Sequence, residues 1–285
     1  MVRRPLAARL LHQSPNRLSL SALPRTWRDR RAETGRPSCG PPSDLRPAAN
    51  VELATWIVER IHPFAQDVGS VVPEGFASYA RVFHPAERRS SDGTLVPVSW
   101  AAIAEANGRT PHPEMQFEGL VDMWPYTAES DHGQPPLWDQ WPEEGSLPYE
   151  QAARLVDLLS PHTGTPHRCW FAVWEGFGGL RTDAARAPAF DLPDRRYHLL
   201  QGLLALLVES CCDPPGYQSA NLCWPDDRAW CMATEIDFTW TYIGGSRECI
   251  SAVLHDPVIE ALPAELDHGI TVFSDPINPV PPRPQ

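Results

Sequence analysis

Apolar positions along this chain fall into short runs with two periods. Leu53, Trp56, Ile57 and Ile61 recur at i, i+3, i+4 and i+8, the stripe of a helix that Asn50 is placed to cap and Pro63 to end. Phe76–His84 reads as a strand that closes at Pro85. Ser99 caps an alanine-rich helix through Asn107, with Gly108 as the residue that leaves it. Pro148 opens a helix carrying Tyr149, Ala152, Ala153, Val156 and Leu159 on one stripe, and Pro161 stops it. Cys169–Glu175 and Arg196–Gln201 predict strands, and Leu203–Val208 suits either a strand or a buried helix. Ala229–Phe238 alternates as a strand, Gly244-Gly245 predicts a turn, and Ser246 caps a helix with Cys249, Ile250, Val253 and Leu254. Asp256-Pro257 predicts the start of a second, shorter helix. Residues 109–147, with Trp124, Trp138 and Trp141, hold no steady period and read as a long loop.

Helices and strands come in irregular order, with no βαβ rhythm and no internal repeat. The expectation is one α+β domain over residues 47–282, a mostly antiparallel sheet with helices packed on it. Residues 1–46 are rich in Arg, Ser and Pro and predict a disordered basic tail. That tail reads either as a transit-like or nucleic-acid-binding arm or as an over-extended gene start. Val51 stands just before the first helix, and a chain beginning there is expected to keep the stability of the whole.

Composition narrows the chemistry. All 24 basic residues are arginine. A chain without lysine has no P-loop lysine, no kinase strand lysine, and no amine for Schiff-base or Ser–Lys chemistry. The net charge of −12 is divided unevenly. Residues 1–46 hold ten arginines against three acids, a net +7, and the remainder holds fourteen against thirty-three, a net −19. An acidic body repels phosphate backbones and complements a basic protein partner, so no nucleic acid is expected on the globular domain. Seven cysteines, without any Cys-x-x-Cys pair or secretory segment, predict reduced thiols and a cytoplasmic protein. No apolar run approaches membrane-spanning length.

Few constellations suggest reactive chemistry. On the predicted strand, Glu235 and Asp237 share a face, and Asp226 and Asp227 lie just upstream. Together they are the candidate catalytic carboxylates if the protein is an enzyme, against the plainer alternative of a solvated strand end. Gly244, Gly245 and Ser246 precede a helix and suit an anion, although ordinary capped turns look the same. Trp138, Trp141, Trp224 and Arg228 are binding candidates, because loop tryptophans anchor interfaces as readily as they plug cores. His162, His167 and Cys169 form an incomplete zinc pattern, so neither a metal nor a cofactor is expected.

Phe83-His84-Pro85-Ala86, His112-Pro113-Glu114-Met115-Gln116-Phe117 and Cys169-Trp170-Phe171 through Trp174-Glu175-Gly176 form one part of a motif set. The other part is Trp224-Pro225-Asp226-Asp227-Arg228-Ala229-Trp230-Cys231, Ala233-Thr234-Glu235-Ile236-Asp237-Phe238 and Tyr242-Ile243-Gly244-Gly245-Ser246. This set resembles a family of uncharacterised actinobacterial proteins over about residues 50–280. The resemblance implies a bacterial cytosolic protein and carries no activity, cofactor or catalytic residue. Two functions follow from the sequence. The first is a non-enzymatic binding module whose acidic, tryptophan-bearing loops engage a basic partner. The alternative is a metal- or anion-assisted hydrolase or transferase built on Glu235 and Asp237.

Overall fold

The computed structural model describes residues 44–64, 67–122, 134, 137–214 and 216–280. Most of the expected basic tail lies outside the described residues, as do Cys39 and Trp124. The strands, in chain order, are β1 (Arg46–Pro47), β2 (Ser78–Phe83), β3 (Ala86–Arg89), β4 (Leu95–Val98), β5 (Cys169–Trp174) and β6 (Ala189–Leu192). They continue with β7 (Arg195–Gly202), β8 (Leu222–Pro225), β9 (Trp230–Ala233), β10 (Trp240–Gly245) and β11 (Ala261–Ala264). The helices are α1 (Thr55–Val58), α2 (Trp100–Ala106), α3 (Phe117–Leu120), α4 (Tyr149–Leu159), α5 (Thr182–Ala185) and α6 (Arg247–Leu254).

Nine strands make one sheet in the order β1-β7-β5-β8-β9-β10-β2-β11, with β6 beside β7, and β3 and β4 form a separate hairpin. Every pairing between the named strands is antiparallel. β1 and β6 lie end to end along the same edge of β7, opposite Leu200–Gln201 and Arg195–His198 respectively. The α+β architecture matches the sequence expectation.

Both faces of the sheet are covered, which is why its strands read as nearly unbroken apolar runs. Phe171, Val173, Leu200, Cys223, Trp230, Met232 and Ile243 point toward α4, α6 and the short helix Leu204–Val208. Trp170, Leu199, Leu222, Trp224, Ala233, Trp240 and Tyr242 point the other way, under α1, α2 and α3. Alternating side chains thus feed two cores from one strand.

Capping explains the helices that the sequence located. Ser99 accepts from Ala102 N and Ser246 from Cys249 N. Gly108 leaves α2 at φ +66°. A distant residue completes the α2 cap: both carboxylate oxygens of Glu260 accept from Trp100 N and Ala101 N.

Three local expectations are corrected. The strand expected over Ala229–Phe238 is only Trp230–Ala233: Thr234 N still donates to Asn221 O in register, and the chain then turns, with Phe238 N donating to Glu235 O. Gly244 and Gly245 are buried residues of β10, not a turn. A Cβ on Gly244 would stand 2.5 Å from Phe76 and 2.8 Å from Tyr79, so the glycine lets those rings close on the strand. No helix follows Asp256-Pro257; Asp256 Oδ1 accepts from Val258 N and Ile259 N and fixes a tight turn into β11. The six described cysteines, Cys169, Cys211, Cys212, Cys223, Cys231 and Cys249, are free and buried.

The packed chain also begins before Pro47. Leu45 is buried in the core under α4 and α6, Arg46 and Pro47 pair with β7, and Ala48 N donates to Leu199 O. A chain beginning at Val51 is therefore expected to lose about 2–4 kcal/mol of unfolding stability, the scale of deleting a buried leucine. Urea midpoints of the two chains measure it, and equal midpoints would show that β1 contributes nothing.

Candidate functional site

One end of the sheet gathers the C-terminal ends of β5 and β9, the start of β7 and the residue that precedes β8. Asn221 organises it. Its Oδ1 accepts from Trp174 N at 2.9 Å and its Nδ2 donates to Thr234 O at 3.0 Å. Its backbone adds bonds to Ala172 O and Thr234 N. The strands therefore stop together, and the side chains after them converge.

Glu235 follows Thr234, and Arg195 begins β7 after the Pro193–Asp194 turn, where Asp194 sits at φ +60°. Arg195 Nε donates to Glu235 Oε1 at 3.0 Å, and its Nη2 lies 2.8 Å from the same oxygen. Nη2 is 3.5 Å from Asp237, and Nη1 donates to Asp194 O at 3.1 Å. Ile236 N donates to Glu235 Oε2. The Arg195 guanidinium lies 5.0 Å from the centre of the Phe64 ring and 6.0 Å from that of Trp174. Burial raises the Glu235 pKa, and the Ile236 N–H and Arg195 recover only part of that shift.

Beside the pair lies a cavity of about 20 Å³, room for one water molecule, lined by Tyr197, Asn221, Thr234 and Ser70 among others. Tyr197 is 6% exposed and stacks on Phe190. Burial, then the Glu235 charge, raises its pKa. A buried chain of hydrogen bonds reaches the cavity wall: His84 Nε2 to Thr241 Oγ1 at 2.9 Å, and Thr241 to Thr234 at 2.7 Å. His84 Nδ1 lies 2.6 Å from Glu143 O, so both ring nitrogens are engaged.

The four sequence-derived carboxylates do not converge. Glu235 and Asp237 meet at Arg195, whereas Asp226 and Asp227 lie at the opposite end of β9. Asp226 pairs with Arg168 at 2.5 Å, and Asp227 accepts from Thr163 Oγ1 and Gly164 N. Trp138 and Trp224 are core residues, and half-buried Trp141 packs on Phe117 at 4.6 Å. Arg228 is exposed and stands 5.5 Å over the Trp56 ring. Gly244 and Gly245 are buried strand residues, and Ser246 caps α6 through its own hydroxyl. Among the described residues, no three His, Cys, Asp or Glu side chains are grouped to hold a metal, and burial pushes the Cys169 thiol up to about 12.

The sequence left Arg195, Tyr197, Asn221 and His84 out of the candidate set. The Arg195-Arg196 doublet at a predicted strand start was the one signal available. No family model matches the chain, and neither a curated protein nor a solved structure matches it.

The buried imidazole generates a pH prediction. Burial lowers the His84 pKa to about 4 from 6.5. Between those values the unfolded chain binds a proton that the folded chain refuses. The contribution is thus complete above about 6.5 and is lost as pH falls toward 4, on the order of 3 kcal/mol in all. Glu118, Glu144, Glu235 and Glu260 are raised by burial and act in the opposite sense, losing stability as pH rises. Comparison with His84→Asn isolates the histidine. The difference in unfolding free energy should shrink from about pH 7 to about pH 4.5, and a constant difference would refute the assignment.

Proposed function

We propose that this chain is a binding module that holds a basic protein segment at the acidic end of its sheet. The observation that carries the proposal is the charge gathered there. Glu144, Glu235 and Asp237 stand with Arg195 at the cleft, while Glu175 and Asp191 lie at the same end of the sheet and pair with Arg196 on the other face of β7. Glu144 has its pKa raised by burial and then by Asp237, so these carboxylates are close enough to repel one another. An incoming cation relieves that repulsion.

Three further features support binding over chemistry. The cavity has room for a water molecule rather than a substrate. Glu235 already accepts from Arg195 and Ile236. The buried thiols Cys169, Cys211 and Cys249 are pushed up to about 12, far from a reactive thiolate. The partner is a cationic peptide surface, and the acidic body disfavours nucleic acid.

A labelled peptide of alternating arginine and glycine is expected to bind, with affinity that falls as salt rises. Asp237→Asn and Glu144→Gln should each weaken it about two- to five-fold, the range for an exposed ion pair. Equal binding of a glutamate–glycine peptide, or none of the arginine peptide, would refute the proposal.

A further inference from the structure

We propose that Glu235, Asp237, Phe64 and Trp174 form a guanidinium receptor that the chain's own Arg195 occupies, and that an arginine of the basic partner displaces it. The inference rests on the basic-partner reading above and adds the group that is recognised. The slot has the chemistry a guanidinium requires. One carboxylate accepts from its Nε and lies 2.8 Å from its Nη2, a second stands 3.5 Å away, and aromatic rings lie at 5.0 and 6.0 Å. A lysine ammonium lacks the planar fork and the stacking face that this arrangement uses.

Two features separate the slot from an ordinary ion pair. Arg195 is the terminal residue of its ladder, opposite Leu192 across a two-residue turn. Its side chain can swing outward without breaking a strand, and Phe64, which lies over it, is 43% exposed. The second feature is Tyr197, which is 6% exposed and lines the adjoining water-sized cavity; its hydroxyl hydrogen-bonds to no described residue and stays accessible to water. Arg195 is tethered at the strand end and leaves that hydroxyl unused. A guanidinium entering from a partner can donate to it as well as to Glu235. That extra contact is the differential interaction that lets the partner's arginine replace the internal one.

Removing the internal occupant tests this. Arg195→Ala should bind the arginine–glycine peptide about tenfold more tightly than wild type, as expected when an occupant blocks the site for about nine-tenths of the time. Millimolar methylguanidinium should raise the melting temperature of the variant but not of the wild type, and methylammonium should raise neither. Tyr197→Phe added to Arg195→Ala should cancel part of the gain. Arg195→Gln, whose amide still donates to Glu235, carries the same measurements if the alanine variant does not fold. If the wild type binds the peptide but neither variant binds more tightly or responds to methylguanidinium, Arg195 is a structural partner of Glu235 and the inference falls while the basic-partner reading stands. If neither wild type nor variant binds the peptide, both fall.

Discussion

The side chain of Asn221 satisfies the backbone of two strand ends while its own backbone ties it to both. Trp174 N at the end of β5, and the N–H and carbonyl of Thr234 just past β9, all meet Asn221. These groups are buried between two cores, where an unpaired amide costs about 1–3 kcal/mol. A side chain with both a donor and an acceptor is required, and neither aspartate nor leucine offers both. Because Thr234 is held there, the chain turns at Glu235, and because the chain turns, Glu235 reaches Arg195. The geometry of the cleft follows from one amide.

Covering a sheet on both faces creates a second constraint, since any polar side chain on the strands is sealed in. β2 and its exit show how the chain meets it. Arg81 donates to Pro113 O at 2.9 Å and stacks 3.8 Å from the Trp240 ring, with its Nε and Nη2 making no hydrogen bond among the described residues. Gln151 donates to Phe83 O, and Trp100 Nε1 to His84 O. The segment 112–117 is tied down at several points. His112 pairs with buried Asp275 at 2.8 Å, Glu114 accepts from Gly269 N, and Met115 and Phe117 enter the core. The motif at 112–117 is thus a strap over Arg81 of β2, and the motif at 83–86 is the buried exit of β2 into β3.

What the sequence revealed and what it hid divide along the range of the interaction. α2, α4 and α6 were legible because their caps, stops and stripes are local: Ser99, Gly108, Pro148 and Ser246 act within a turn of their own position. β5 and β7 were legible from β-branched and aromatic density. β6, β10 and β11 were not, because their residues are strands only through partners far away in sequence, and Pro263 in β11 argues locally against a strand. The alternation of 229–238 was correct through Ala233 and failed at the turn that Phe238 N closes on Glu235 O. Glu235 and Asp237 were recognised as a pair for the wrong reason: a shared strand face suggested a cation between them, and the structure supplies a guanidinium from β7. The tryptophans expected in loops misled because composition cannot tell a plug from an anchor: Trp138 is a buried plug, and Trp224 is a core residue of β8.

A lysine-free chain builds every internal cation from arginine, and comparing two of its pairs shows which is structural. Arg154 meets Asp256 much as Arg195 meets Glu235, with Nε and Nη2 on one oxygen. Asp256 has its other oxygen filled by Val258 N and Ile259 N. Although burial opposes it, Arg154 and those amides bring the Asp256 pKa below its ordinary value. Glu235 has one amide and one guanidinium, and its pKa stays raised. By this measure Asp256 is fully compensated and Glu235 is not. The Glu235 carboxylate, beside an exposed Asp237 and a water-accessible tyrosine hydroxyl, has room for a donor that Asp256 does not. That residual demand, rather than the count of acids, is what distinguishes this end of the sheet.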